Sequence, residues 1–439
     1  MASASDVSHP VVFSTQTPYT LPSQKFMIPA SWKRYHLSQL VNKALSLSSP
    51  IPFDFLVRGE ILRTSLGEWC TEKGIGEEET LEIEYFESVM PPQRMSSLPH
   101  EDWVSSVSCG LQGHFVTASY DGILRVFDYS QTLLHATQVH EAPITSVSLV
   151  HNASLPEDDI LVATASHDLT ARLTQVNIRQ RNSQDENHTK TLASLHLHTA
   201  PLSSISSSSS GAHIVTASWD SLIGVWDTLI PASDEVPVDE SQNRAANRKK
   251  RRKVDEEGPR RKAPLHVLKG HTARVSKASF ATHSNNIAYS AGFDSTLRAW
   301  DVENGVCTNT ITASTKPFLD LAVSSEGTAI FASSSDRTVS QYDIRDPATS
   351  SSAAPVSSFF HPSTPSCISL PPSSSSSHQF VTGSYDGVVR LWDTRSVKNA
   401  VTSFKPWEGG KKILSVDWGT GVIAIGGEGG VDVWRLNQG

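Results

Sequence analysis

One phrase recurs along most of this chain and limits what it can fold into. Small residues and a hydroxyl lead to an Asp and a turn residue, then to a hydrophobic strand, an aromatic and a closing Asp. It runs from Thr117-Ala118-Ser119-Tyr120-Asp121-Gly122 to Val126-Phe127-Asp128, and returns around Asp168, Asp220, Asp294, Asp336 and Asp386, each seven residues ahead of its closing position. Gln175 replaces the closing Asp in the second copy, and an eroded seventh copy sets Glu428 seven residues ahead of Arg435. Each copy reads as two strands joined by a tight turn, the second alternating with period two. A unit this small cannot bury its own apolar strands, so neighbours must stack. The turn Asp can accept hydrogen bonds from its own backbone and from an upstream His, and His140, His198, His271 and His100 stand in the right place.

Over residues 100–439 the chain therefore resembles the WD-repeat family, whose repeats fold as four-stranded blades of a β-propeller. The seven carboxylates are spaced by 47, 52, 74, 42, 50 and 42 residues, close to a repeat of about 40–45. The long interval holds an insertion near 230–264, expected to be disordered and to lie between the third and fourth blades. The last strand-like phrase ends at Leu436, so the outer strand of the seventh blade is expected from 91–100, where Pro91, Pro92 and Pro99 suit an edge position. Trp226, Trp300, Trp392 and Trp434 occupy the strand-terminal position of the repeat and read as core. Trp219 falls in a turn, where an exposed ring can anchor a partner or serve local packing.

Residues 11–90 do not share the repeat. Strands are expected at Val11-Val12-Phe13, Lys25–Ile28, Phe53–Val57, Glu60–Arg63 and Leu81–Tyr85. Leu37, Leu40, Val41, Ala44 and Leu45 trace one face of a helix, and a compact turn carries Leu66 and Trp69. This order resembles the ubiquitin-like β-grasp, without a terminal di-Gly tail. Residues 1–10 are expected to be disordered. The fold class is thus mainly β, a ubiquitin-like β-grasp domain (11–90) followed by a seven-bladed propeller (91–439).

That pairing of domains resembles the eukaryotic WD-repeat ribosome-biogenesis factor of the PeBoW complex, the propeller subunit beside block-of-proliferation and pescadillo. Lys33-Arg34-Tyr35, Leu62–Leu66, Pro91-Pro92 and Glu101–Ser105 also match. The Notchless type shares the domain order but usually carries eight repeats, against seven here. The resemblance implies a non-catalytic assembly factor of the pre-60S particle, needed for processing of 27S-type pre-rRNA in nucleolus and nucleoplasm. It also implies that the ubiquitin-like domain gives one Glu to a divalent metal held by midasin, a giant AAA-type ATPase. Hard cations accept such carboxylate oxygens. Matching Lys73-Gly74-Ile75 and Leu81 places that ligand at Glu78, with Glu77 and Glu79 beside it. An acidic solvated loop is the plainer reading of the same run.

Charge divides unevenly. The chain holds 37 basic and 45 acidic side chains, a net −8, yet residues 248–262 alone carry +6, leaving −14 elsewhere. Arg248, Lys249, Lys250, Arg251, Arg252 and Lys253, with Arg260, Arg261 and Lys262, resemble a nuclear import signal read by importin. An ordinary solvated charge run is the plainer reading, and the same cations would suit rRNA phosphates, so direct RNA binding is an alternative function, as is substrate adaptation for a ubiquitin ligase. Cys70, Cys109, Cys307 and Cys367 show no CxxC spacing, which argues against a zinc site or a disulfide framework. No run reaches the roughly 18 apolar residues of a membrane span, and the N-terminus lacks the pattern of a secretory signal. Enzyme motifs are missing too. Gly410-Lys411 is followed by Lys412 rather than Ser or Thr, unlike a phosphate loop, and neither His140-Glu141 nor His100-Glu101 has a second His four residues on. No cofactor is expected.

Overall fold

The computed structural model describes residues 7–47, 49–88, 91–151, 156, 159–178, 189–237, 258–312, 315–345, 354–372 and 378–436. It divides into two compact units, with the main break between Gln93 and Arg94.

In the first unit, β1 (Ser8–Ser14), β2 (Lys25–Pro29), α1 (Arg34–Leu45), β3 (Phe53–Val57), β4 (Glu60–Ile61), α2 (Leu66–Lys73) and β5 (Leu81–Glu87) follow in order. The sheet order is β2-β1-β5-β3-β4, with β1 and β5 parallel at its centre, as a β-grasp requires. Leu37 and Val41 of α1 pack with Phe13, Phe55 and Tyr85 in one core. Two expectations need correction. Ser8, His9 and Pro10 pair with Pro29, Ile28 and Met27, so strand order begins inside the stretch expected to be disordered. The compact turn at Leu66 is a helix, because Ser65 and Glu68 form a reciprocal capping box and Gly74 ends it in the left-handed region at φ 66°.

In the second unit, seven sheets follow one another as blades. The inner strands are Val104–Ser108, Ile144–Val150, Leu202–Ser207, Val275–Ala281, Phe318–Val323, Pro365–Ser369 and Ile413–Trp418. The segment expected to close the ring supplies β6 (Gln93–Leu98), the outermost strand of the seventh blade. Leu98 is fully buried there, and Arg94 reaches buried Asp432 at 2.8 Å. Trp226, Trp300 and Trp392 are core residues. Trp434 is only half-buried, its ring centroid 4.4 Å from that of Phe404.

The insertion differs from expectation in two ways. The strand His266–Leu268 pairs with Ile223–Asp227, so the insertion lies within the third blade, between its third and fourth strands. Its end is also ordered: Arg260–Lys262 runs parallel to the outer strand of the second blade as a fifth strand. Asp234 accepts from the Arg261 N–H at 2.9 Å, and Glu235 from the Ala263 N–H at 2.9 Å.

Candidate functional site

Each blade turn is built around the carboxylate that the sequence singled out. Asp121, Asp168, Asp220, Asp294, Asp336 and Asp386 all accept the N–H two residues on, at 2.9–3.2 Å. The residue after each Asp is in the left-handed region: Gly122, Leu169, Ser221, Ser295, Arg337 and Gly387. A Cβ on Gly122 would meet the His140 carbonyl oxygen at 2.2 Å, so glycine is required there. Glu428 departs from the pattern, accepting instead from the Lys412 N–H at 3.0 Å.

In three blades the turn carboxylate holds a buried histidine. His140 Nδ1 lies 2.7 Å from Asp168, His198 Nδ1 3.0 Å from Asp220, and His271 Nδ1 2.9 Å from Asp294. The opposite nitrogen of each meets a hydroxyl, Thr164, Thr216 or Ser290, at 2.6–2.9 Å. Trp226 and Trp300 then donate to two of those hydroxyls. Burial alone would raise the Asp168 carboxyl, but the His140 ring and the Thr170 hydroxyl and N–H bring it down to about 2. Asp220 and Asp294 are lowered for the same reason. These triads resemble hydrolase triads only in composition. Their hydroxyls are buried and tied to the ring, so they brace strands and expose no nucleophile.

His100 meets Thr117 at 2.8 Å, but Asp121 pairs with Arg125 instead. His361, unremarked in the sequence, occupies the equivalent place in the sixth blade and meets Thr382 at 2.9 Å. Its signal was available: His100, His140, His198, His271 and His361 all stand four residues before an inner strand.

A second polar ring also went unread. Serines of the inner strands bolt most blades to the next by accepting an N–H from it. Ser106 accepts from Val147, Ser148 from Ser207, Ser204 from Ala278, Ser369 from Trp418 and Ser415 from Val107, at 2.9–3.2 Å. Asp320 does the same for Ile368 and Asp417 for Cys109, both at 2.7 Å. Burial holds the Asp417 carboxyl above its ordinary range, against the Cys109 N–H. Between the fourth and fifth blades the link is ionic, Lys277 Nζ to Asp320.

In the β-grasp unit, Glu77, Glu78 and Glu79 lie together in the exposed turn between α2 and β5. The turn is closed by the Glu79 N–H donating to Gly76. The Glu79 side chain is engaged by Arg58, itself held in the left-handed region at φ 49°. Neither Glu77 nor Glu78 forms an ion pair with a described residue. The arrangement leaves the carboxylates of Glu77 and Glu78 both exposed. Among the described residues no three His, Cys, Asp or Glu side chains gather to hold a metal ion by themselves.

The structure separates the expected import residues. Arg248, Lys249, Lys250, Arg251, Arg252 and Lys253 lie outside the described residues. Arg260, Arg261 and Lys262 form the added strand, and Lys262 is 3% exposed, its ammonium on Asp227 and the Leu229 carbonyl. Lys262 is a bolt between blades rather than part of an exposed basic signal.

Fold and repeats define a WD-repeat propeller protein with an N-terminal ubiquitin-like domain. The NLE (NUC135) domain family matches residues 10–70, and the WD domain, G-beta repeat family matches 93–128, 189–227, 262–301, 305–343 and 354–393. The chain is 58% identical to the ribosome biogenesis protein YTM1 of Laccaria bicolor, over 99% of this chain and 96% of the relative. It is 57% identical to that of Coprinopsis cinerea over the same shares, and 34% identical to that of Saccharomyces cerevisiae over 91% and 90%. The chain belongs to the YTM1 family of ribosome biogenesis proteins.

Proposed function

We propose that this protein is a non-catalytic assembly factor of the 60S ribosomal subunit, working as a scaffold with a handle. The propeller joins a block-of-proliferation propeller protein and a pescadillo-type protein in a PeBoW-type complex on the pre-60S particle. That complex supports processing of 27S-type pre-rRNA to 25S/28S and 5.8S. The ubiquitin-like domain docks midasin by placing Glu78 on a divalent metal held by the ATPase, and ATP-driven pulling on this handle releases the complex. The basic run 248–253 carries the protein through importin to the nucleus, nucleolus and nucleoplasm.

The observation that carries this reading is the division of labour in one turn. Arg58 occupies Glu79, while Glu78, like Glu77, stands exposed without an ionic partner among the described residues. A carboxylate already paired would have to give up that partner to bind a metal, whereas Glu78 does not. Affinity purification from nuclear extract, with and without chelation of divalent ions, tests it. The pescadillo-type and block-of-proliferation proteins should persist under chelation, and midasin should be lost. Retention of midasin under chelation contradicts the metal bridge.

A further inference from the structure

One end of the propeller carries an aromatic collar. In each of the six Asp-bearing turns, the residue just before the turn Asp donates its N–H to the carbonyl of the residue preceding an inner strand. Examples are Tyr120 to Trp103 at 2.9 Å, Trp219 to Pro201 at 3.0 Å and Phe293 to Arg274 at 2.9 Å. This register holds the side chains at the turn position at the same end of the propeller. In five of the six turns the side chain is a ring: Tyr120, His167, Trp219, Phe293 or Tyr385, with Ser335 in the sixth. Tyr120, His167 and Phe293 are half-buried, and the other two rings are exposed. Trp219 is 44% exposed, Tyr385 42% and the neighbouring Trp103 42%.

The rings also hold a cation. The Arg274 guanidinium lies 3.5 Å from the Phe293 ring centre and 5.4 Å from that of Trp219. It forms no ion pair with any described residue, so its rings fix its faces and leave its N–H edge unpaired. Lys412 lies 6.0 Å from the Trp103 ring, and Arg337 and Lys411 are exposed at the turns nearby. Exposed aromatic anchors around a positioned arginine are the composition of interaction hot spots.

We propose that this collar docks an acidic, apolar loop of a protein partner, Arg274 taking a carboxylate while Trp219 covers the flanking aliphatic side chains. The inference rests on the propeller being a docking body. The rings pack on one another, Trp103 on Tyr120 at 6.0 Å and His167 on Trp219 at 5.4 Å, instead of offering a row of free faces for bases.

The test is selection of phage-displayed random peptides of about twelve residues on the full-length protein, followed by anisotropy titrations of the synthesised winners. Winners should join Asp or Glu to aliphatic residues, and Arg274→Glu or Trp219→Ser should weaken them by at least about tenfold. Arg260→Glu, on the added strand, should leave them unchanged. If Arg274→Glu lowers the melting temperature, Arg274→Met serves in its place. Winners that are basic, or that bind the Arg274 variants as tightly as wild type, overturn the proposal. So does displacement of the winners by short oligouridylate. Glu78 belongs to the other unit, so either result leaves the metal bridge to be judged separately.

Discussion

Lys277 Nζ lies 3.4 Å from Asp320 Oδ1, joining the fourth blade to the fifth at the one junction where, among the described residues, no inner-strand hydroxyl or carboxylate accepts an N–H of the next blade. The two residues share the third position of their strands, where Ser106, Ser146, Ser204 and Ser415 stand in other blades. Asp320 also accepts the Ile368 N–H, so one carboxylate serves two junctions. Asp320→Ala should cost about 2–4 kcal/mol by leaving both donors unpaired. Asp320→Asn, which keeps an acceptor oxygen, should cost about half as much. Urea denaturation checks both values, and a double-mutant cycle with Lys277→Met isolates the ionic part.

The seventh blade should depend on sequence more than 300 positions away from its other strands. Leu98 is fully buried at the end of β6, and Leu98→Ala should cost about 2–4 kcal/mol. Deleting 91–98 should lower the thermal midpoint sharply and expose the Gly430–Arg435 edge to proteolysis. An unchanged midpoint would mean that β6 is dispensable.

Acid should destabilise the propeller in two stages. Burial holds His140 below its ordinary 6.5 despite Asp168, so the unfolded chain takes up the proton first. Stability therefore falls as pH drops below 6.5. Asp168 is lowered from 3.8 to about 2; its contribution is whole above 3.8 and lost between there and about 2. Urea midpoints across pH should show both stages, and Asp168→Asn should flatten the lower one.

Lys262 should behave as a structural residue. Its ammonium is buried on Asp227 and the Leu229 carbonyl, so Lys262→Ala should cost about 2–3 kcal/mol and loosen the Arg260–Lys262 strand to proteolysis. Arg260→Ala, at an exposed position of the same strand, should cost less than about 0.5 kcal/mol. Equal effects of the two substitutions would contradict the bolt.

Much of the fold was legible because its signals are local. A turn Asp, its left-handed follower and a period-two strand declare themselves within ten residues, and seven copies fix the architecture. The triads of His140, His198 and His271 followed from the same phrase. The serine bolts were missed because a serine in an alternating strand looks like a solvated hydroxyl until the next blade supplies its donor. Arg260–Lys262 was missed because its partner strand ends at His196, and charge composition cannot report a pairing across that distance. Glu78 was placed by resemblance; that Glu79 is held by Arg58 was not visible, since the left-handed turn at Arg58 brings them together.

Isothermal titration of the full-length protein with the metal-binding domain of midasin in magnesium tests the role of Glu78 most directly. Glu78→Ala should abolish binding, as chelation should for the wild type, while Glu79→Ala retains it and the melting curves of all three proteins coincide. Binding that survives Glu78→Ala and is lost in Glu79→Ala would contradict the account.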